Sequence, residues 1–409
     1  MVGEPTVPRA GLTAQLRIAT TQTGIALAAL AAAPSLPWRK RYVHRIAVPA
    51  TVLPLDAAST VRKPDRMAGP DAVVNADVVV VGGGSSGAVV AARMAEAGVR
   101  VTLLEAGPDY GPLAGRPADG SRTAWPADLL NAHAIALSHD WGYESGPVAG
   151  RAPWTFERAR VIGRCSAHNG AIAAVGHAAD YDGWGLPEWR TDMLRSVFAT
   201  VLDKMRVRAY RVDEAGPFHV RCLEAASGTG WEIASDLCDL DANESFGLET
   251  VNIVDGVRWN TAFAYLDPVR HRANLTIVDR VLVDPFVEDR SGVTVHAWRN
   301  GDAFTIRAGR VVLSTGVYGT PAILQRSGVG DPERLCRAGV ACVLDRPGAG
   351  VGVGGAGDRH EAATRRSAGR SCTTTTRSAR ARWASTTTAS ATVMAGCAVW
   401  IASRWPTCR

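Results

Sequence analysis

The hydrophobic pattern of the chain is clearest in residues 77–107, where two short apolar runs flank a helical segment. Residues 78–81 are a continuous apolar run, which is typical of a parallel strand that is buried on both faces, and residues 101–104 read as a second buried strand. Between them, residues 88–97 are rich in alanine and valine and read as a helix, which Gly98 ends. The pattern therefore predicts a strand, a helix and a second parallel strand.

Similar patterns recur further along the chain. Residues 191–205 have apolar side chains on one helical face, and residues 275–298 contain three strand-like segments separated by turn formers. Residues 310–316 form another buried strand, and a short helix is predicted for residues 318–327. This helix is expected to begin near Thr320-Pro321, because proline is favoured in the first turn. The alternation of strands and helices predicts an α/β protein with a doubly wound sheet.

A glycine-rich loop joins the first predicted strand to the first predicted helix. Gly82, Gly84 and Gly87 have the G-x-G-x-x-G spacing, which allows a tight turn, close approach of a diphosphate and close helix packing. The N–H groups and positive dipole at the start of the helix favour an anion there. Glu105 ends the second strand, where it can bind ribose hydroxyls and would repel a 2′-phosphate. The sequence therefore predicts an adenine dinucleotide site for FAD or NAD rather than NADP.

Two later segments favour FAD over NAD. The strand at residues 310–316 ends in small residues and can return the chain to the same sheet, as a flavin-binding fold requires. Residues 157–169 combine a short apolar stretch with glycine and small polar residues, which suits a loop that lies against a cofactor. An NAD-dependent enzyme is the alternative that these two features argue against.

Charge and composition exclude several classes of function. The formal net charge is +6, but the excess lies at the ends: residues 362–409 hold eight Arg and no acid, and residues 1–76 are also basic. The remainder is acidic, which argues against a nucleic-acid partner.

The cysteines have no C-x-x-C or zinc spacing, so no metal site is predicted. The apolar run at residues 24–33 is shorter than the roughly 18 residues of a membrane span, so we expect a cytoplasmic protein without a transmembrane segment.

The two ends of the chain lack a folding pattern. Residues 1–76 are rich in Ala and Pro without sustained periodicity, and they are expected to be a disordered leader. After Glu361 the sequence becomes rich in Arg, Ala, Ser and Thr, a composition that cannot build a core. Its abrupt onset suggests translation in a shifted frame, so residues 353–409 are expected to be a disordered aberrant tail. The folded region is placed at residues 77–352.

Five ordered motifs give the chain a resemblance to the glucose-methanol-choline (GMC) family of FAD-dependent oxidoreductases. The first is the glycine loop together with Glu105-Ala106-Gly107-Pro108. The others are DWGY at residues 140–143, RARVIGRCSAHNG at 158–170, DYDGW at 180–184, and the segment from VLSTG to SGVG at 312–330. The amino-acid sequence of the third motif resembles that of the choline-oxidase-like branch. The resemblance implies an FAD-binding, Rossmann-like doubly wound sheet with a partial, incomplete substrate domain.

The resemblance also implies an activity and a set of cofactor-binding residues. Family members oxidise an alcohol: a histidine takes the hydroxyl proton, and hydride passes to flavin N5. In the choline-oxidase-like branch the histidine that matches His168 carries the flavin covalently, and a hydrogen-bonded structural histidine is the alternative here. The predicted cofactor-binding residues are Gly82, Gly84, Ser85, Ser86, Gly87, Glu105, Ala106, Gly163, Ser166, His168, Asn169, Gly170, Val281 and Gly316.

Two departures from the family pattern affect the expected function. Arg164 stands where the family has glycine, and its side chain either pairs with phosphate or obstructs the loop; we favour obstruction. The resemblance ends near residue 352, whereas the family's catalytic histidine and its partner lie beyond that point. His360 is a poor substitute, so no catalytic residue is predicted. We expect an impaired FAD-dependent oxidoreductase that acts on a small-molecule alcohol, with a non-catalytic flavin-binding remnant as the alternative.

Overall fold

The structure, a computed structural model, describes most of the chain between residues 74 and 349. The described residues are 74–113, 124–145, 153–241, 245–289 and 292–349, together with two short strands at Arg17–Ala19 and Cys397–Ser403. Apart from these two strands and residues 74–76, the predicted leader and tail lie outside the described residues. Among the described helices, none reaches the length and apolarity of a transmembrane span.

The strands form one large sheet and several two-stranded ribbons. They are β1 (Arg17–Ala19), β2 (Val74–Val81), β3 (Val101–Leu104), β4 (Tyr143–Glu144), β5 (Thr155–Phe156), β6 (Arg208–Ala209), β7 (Thr250–Val251), β8 (Ile253–Val254), β9 (Val257–Arg258), β10 (Leu275–Val278), β11 (Val281–Asp289), β12 (Gly292–Arg299), β13 (Asp302–Leu313), β14 (Val329–Gly330), β15 (Leu344–Asp345) and β16 (Cys397–Ser403).

The helices are mostly short. They are α1 (Ser85–Glu96), α2 (Ala127–Leu130), α3 (Ala178–Asp182), α4 (Thr191–Lys204), α5 (Pro217–Gly228), α6 (Gly316–Arg326) and α7 (Pro332–Arg337). Short 3₁₀ turns occur at Arg164–Ala167, Pro187–Trp189, Val212–Glu214, Asp267–Val269 and Pro347–Ala349, and a π-helical turn occurs at Ala262–Leu266.

An eight-stranded sheet forms the centre of the molecule. Its parallel part has the order β13-β2-β3-β10, and β11, β12 and β13 form an antiparallel meander. On the side of β13 that lies opposite β2, β12 pairs with the first part of the strand and β16 pairs antiparallel with its last part. Strand β16 in turn pairs with β1. The mixed α/β class with a parallel-stranded sheet is therefore as predicted.

Alternate residues of the central strands enter two separate cores. Val78 and Val80 of β2 pack beneath α1, whereas Val79 and Val81 pack with the meander and α6 on the opposite face. This alternation explains why residues 78–81 of the strand are all apolar, since both faces of this part are covered. The side of α1 that meets the sheet consists largely of alanine and valine with almost no exposed surface, so the helix packs close to the strands.

Several predicted boundaries differ from the structure. Strand β2 begins at Val74, earlier than its apolar run indicates. Helix α6 begins at Gly316, so Pro321 lies inside it and not in its first turn. The predicted start of α6 was wrong because the helix begins almost directly after β13. The turn between them is held by a hydrogen bond from the Thr315 N–H to the Thr320 hydroxyl (3.2 Å).

Candidate functional site

The loop between β2 and α1 lies flat against the carboxyl ends of the neighbouring strands. Gly82 has a φ of +93°, and a Cβ atom at this position would lie 2.6 Å from the Ser314 carbonyl oxygen, which follows β13. The Gly82 N–H donates to the Leu104 carbonyl at the end of β3 (2.7 Å). A Cβ atom at Gly87 would lie only 1.8 Å from the Gly82 carbonyl oxygen. The turn therefore requires glycine at the first and third motif positions.

The start of α1 carries polar groups without partners. Gly84 occupies the N-cap without a side-chain cap, and the first turn contains no acidic residue. Ser85 and Ser86 are buried, and the Ser86 Oγ has no hydrogen-bond partner among the described residues. The Ser314 Oγ likewise has no hydrogen-bond partner in the described part of the chain. Because uncapped helix N–H groups and buried hydroxyls need partners, this region is suited to a polar, anionic ligand.

Glu105 connects the end of β3 to the glycine loop. Its carboxylate accepts hydrogen bonds from the Gly83 N–H (2.7 Å) and the Gly107 N–H (2.8 Å), and the residue is 4% exposed. The carbonyl of Glu105 accepts from the Val281 N–H (2.8 Å), which places Val281 beside it. Burial raises the pKa of Glu105, and the two N–H donors offset part of that rise. The carboxylate thus lies where the sequence predicts a ribose-binding acid.

The raised pKa of Glu105 predicts a specific pH dependence of stability. Since the folded state holds this proton more strongly than the unfolded chain, the contribution is full below the ordinary value of 4.5 and is lost as pH rises through the folded pKa. The melting temperature of the native protein minus that of Glu105→Gln should therefore fall as the pH rises above 4.5. Glu224→Gln is the control, because it makes the same chemical change at an exposed helix position outside the buried site. A difference that grows with pH would contradict the assignment.

Residues 161–170 dock onto the glycine loop through backbone contacts. The Gly163 N–H donates to the Gly83 carbonyl (2.8 Å). Ser166 is buried, and its Oγ donates to the Gly163 carbonyl (2.6 Å) and accepts from the Thr261 N–H (3.2 Å). These bonds fix the predicted flavin loop against the start of α1.

A cavity of about 40 Å³ lies between this loop and α4. Its polar lining includes Ser85, Ser166 and Asn169, and its apolar lining comes partly from Phe198 and Met205. The volume is enough for ordered water or for a small polar group of a ligand. Three predicted site residues therefore share one cavity.

The remaining predicted residues lie at the edges of this region. The His168 Nε2 is buried and has no hydrogen-bond partner among the described residues. Ala106 follows Glu105, and its carbonyl accepts from the Arg160 Nε (3.2 Å). Gly170 is exposed at the end of the loop, and a Cβ atom added there would have no neighbouring atom within 4 Å. Gly316 has a φ of +79° at the start of α6.

Arg164 lies between the starts of α1 and α6. Its Nη1 donates to the Thr315 carbonyl. A Cβ atom at Gly84 would lie 3.0 Å from the Arg164 Cβ, and one at Gly316 would lie 2.5 Å from its Nη1. The glycine loop, Glu105 and the unpaired serines fit the ADP-ribose part of a dinucleotide. The gap at the helix start, where a diphosphate would lie, holds this arginine side chain instead.

Sequence reasoning missed the residues that support the loop from behind. The Asn260 Oδ1 accepts from the Ala262 and Phe263 N–H groups (2.9 and 3.2 Å) and lies beside Gly163. An asparagine that precedes an apolar run is a capping signal, so this residue could have been found. Arg258 is 1% exposed and donates to the Asn169 carbonyl (2.7 Å). No signal marks it, because arginine is expected at the surface.

No metal centre is present in the described part of the chain. Its His, Cys, Asp and Glu side chains nowhere form a group of three or more that could hold an ion.

Comparison with known proteins identifies relatives of this site and fold. Residues 76–354 match the GMC oxidoreductase family. The oxygen-dependent choline dehydrogenase of Rhizobium johnstonii is 32% identical over 306 residues, which are 68% of this chain and 52% of that protein. The enzyme of the same name from Brucella canis is 31% identical over 297 residues, with the same coverage. The chain thus spans about half the length of these curated relatives.

Solved structures give a consistent result. Pyridoxine 4-oxidase from Mesorbium loti superposes with a TM-score of 0.56 at 29% identity, covering 67% of this chain and 56% of that one. An FAD-dependent oxidoreductase from Chaetomium thermophilum, at 24% identity, shares the fold with a TM-score of 0.54, covering 67% and 51% of the two chains. The chain therefore belongs to the GMC oxidoreductases, a family of FAD-binding enzymes that act on alcohols.

Proposed function

We propose that this protein binds FAD at the glycine loop and is an oxidoreductase that acts on the CH–OH group of a small alcohol. The observation that carries the proposal is the convergence on one helix start of a glycine turn, a buried carboxylate and unpaired hydroxyls. These are Gly82, Glu105, Ser86 and Ser314. Family membership supports the reaction class, and the relatives named above include an enzyme for choline and one for pyridoxine.

Each part of the site would contribute a separate function. Glu105 would orient the ribose through its carboxylate, and the uncapped start of α1 would bind a diphosphate through backbone N–H groups. Ser166, His168 and Asn169 would line the flavin side, where the buried His168 Nε2 needs a polar partner. A bound flavin would accept hydride from the alcohol carbon. None of the described side chains is assigned as the base that takes the hydroxyl proton.

The alternative is a flavin-binding protein without oxidase or dehydrogenase activity. One observation favours it: the Arg164 side chain lies in the gap at the helix start. Both candidates predict flavin binding, so binding alone does not separate them.

A two-stage experiment tests the proposal. Purified protein reconstituted with FAD should show a protein-bound flavin absorption spectrum, and its absence would contradict the cofactor assignment. Anaerobic addition of alcohols should then bleach the flavin band if the protein is an alcohol oxidoreductase. The panel should include choline, pyridoxine, an aryl alcohol and a primary aliphatic alcohol. Bound flavin that none of them reduces would favour the non-catalytic alternative.

A further inference from the structure

The backbone at Arg164 adopts a conformation that arginine rarely takes. Its φ is +46°, in the left-handed region that glycine occupies without strain. The residue follows Gly163, which has a φ of +80°, so two consecutive residues turn in the same unusual direction. A non-glycine residue is held in this region only when its surroundings constrain it.

The side chain of Arg164 is held by contacts on both sides of the gap. Its stem lies against Gly84, the N-cap of α1, since a Cβ atom there would approach the Arg164 Cβ to 3.0 Å and the Cδ to 3.2 Å. Its guanidinium lies against Gly316, where an added Cβ atom would be 2.5 Å from Nη1 and 2.8 Å from Cζ. The hydrogen bond from Nη1 to the Thr315 carbonyl fixes the end of the side chain.

Arg164 forms no salt bridge among the described residues, although its charge acts on the buried carboxylate of Glu105 and opposes the rise in pKa that burial causes there. In the described part of the chain its one hydrogen-bond acceptor is the Thr315 carbonyl, and the nearby carboxylate of Glu105 is bonded to two backbone N–H groups. The guanidinium also lies against Gly316 at the start of α6, and the positive end of a helix dipole is an environment that favours anions. The side chain therefore occupies space suited to a negatively charged group.

We propose that Arg164 is a gate on the dinucleotide site, whose side chain must leave the gap between Gly84 and Gly316 before a diphosphate can bind. This inference rests on the proposed FAD site. It predicts that this chain binds a dinucleotide less tightly than the same glycine loop would without the arginine side chain. The cost of binding includes breaking the bond to Thr315 and moving a side chain out of the region that the diphosphate enters.

The test compares the affinity of four forms of the full chain for three probes. Isothermal titration would measure the Kd of FAD, ADP and inorganic pyrophosphate for the native protein, Arg164→Gly, Arg164→Met and Arg206→Gly. Arg206 is the matched control, because it also has a left-handed backbone (φ +52°), but its guanidinium stacks on Trp259 and is not among the groups nearest to Gly84 or Gly316. Thermal unfolding of each form would establish that it is folded.

The gate predicts a definite order of affinities. Arg164→Gly should bind FAD and ADP at least about tenfold more strongly than the native protein, a difference that titration resolves easily. Arg164→Met, which cannot bond to Thr315, should lie between them, and Arg206→Gly should match the native protein. If Arg164 binds phosphate instead, both substitutions at this position weaken binding and the proposal is overturned.

The remaining outcomes separate the gate from the proposed function. Equal FAD affinity in the native protein and Arg164→Gly would overturn the gate while leaving the FAD site in place. If Arg164→Gly gains affinity for ADP and pyrophosphate but no form binds FAD, the gate is supported and the proposed function fails. A folded Arg164→Gly protein that binds none of the probes would overturn the gate. If Arg164→Gly does not fold, the comparison of Arg164→Met with the native protein decides.

Discussion

Gly87→Ala is expected to abolish dinucleotide binding, raising the Kd for FAD by about a hundredfold or more, which corresponds to about 2.7 kcal/mol. The added Cβ atom would lie 1.8 Å from the Gly82 carbonyl oxygen and 3.0 Å from the Gly82 carbonyl carbon. Both neighbours are backbone atoms of the tight turn, so no side chain can move aside. Helix α1 must shift away from the sheet and carry Ser85 and Ser86 with it. Titration with FAD measures the effect directly.

The control for this substitution is Gly228→Ala at the end of α5. That glycine has no atom within 4 Å of an added Cβ atom, so FAD affinity should remain at the native value. Urea denaturation of both variants should show a loss of about 1–3 kcal/mol for Gly87→Ala, as in other overpacked sites, and none for the control. Native FAD affinity in Gly87→Ala would show that α1 does not pack closely on the turn.

Asp109→Ala is expected to lower the free energy of unfolding by about 3 kcal/mol, because it leaves a buried cation without its main partner. The Arg270 guanidinium forms a two-pronged contact with Asp109, with distances of 2.7 Å from Nη1 to Oδ2 and 3.0 Å from Nη2 to Oδ1. The two side chains are 14% and 1% exposed, respectively. A third bond joins the Arg270 Nε to Asp267 (2.7 Å). Burial raises the pKa of Asp267, so this carboxylate is a weaker substitute partner.

An exposed pair of similar geometry provides the comparison. Arg211 contacts Asp213 through Nε and Nη2 at 2.9 and 3.0 Å, but both side chains are 69% exposed. Asp213→Ala should therefore leave the urea midpoint unchanged. The double variant Asp109→Ala/Arg270→Met should recover part of the stability lost in Asp109→Ala, since it removes the unpaired charge. A single variant as stable as the native protein would show that the buried pair contributes nothing to folding.

The sequence was sufficient to predict the central part of the fold. The largely apolar residues 78–81 and 101–104 and the helix between them follow from local patterning, because a strand with two covered faces has few polar positions. The start of α6 was not predictable in this way. The rule for proline in a first turn depends on where the helix begins, and here the turn after β13 sets the beginning.

The candidate site shows the same division between local and long-range information. Motif spacing placed the three glycines and Glu105 in one loop region, where the structure also has them. It marked Arg164 as unusual, but the bond to Thr315 joins residues 151 positions apart in sequence. Only the folded chain shows which side of the gap the guanidinium contacts. The role of each residue in binding FAD stays a prediction until a ligand is measured.

Arg258 joins two parts of the molecule that are remote in sequence. Its guanidinium donates to the carbonyls of Asp128, Leu129 and Ala134 on one side and Asn169 on the other, at 2.7 to 3.1 Å. Burial lowers its pKa, since all four acceptors are neutral. Neither segment can unfold locally by itself without leaving the buried Arg258 guanidinium short of hydrogen-bond acceptors. Their amide protons should therefore exchange with solvent as one cooperative unit, so that residues 161–170 have the local stability of the segment that contains Asp128 and Ala134.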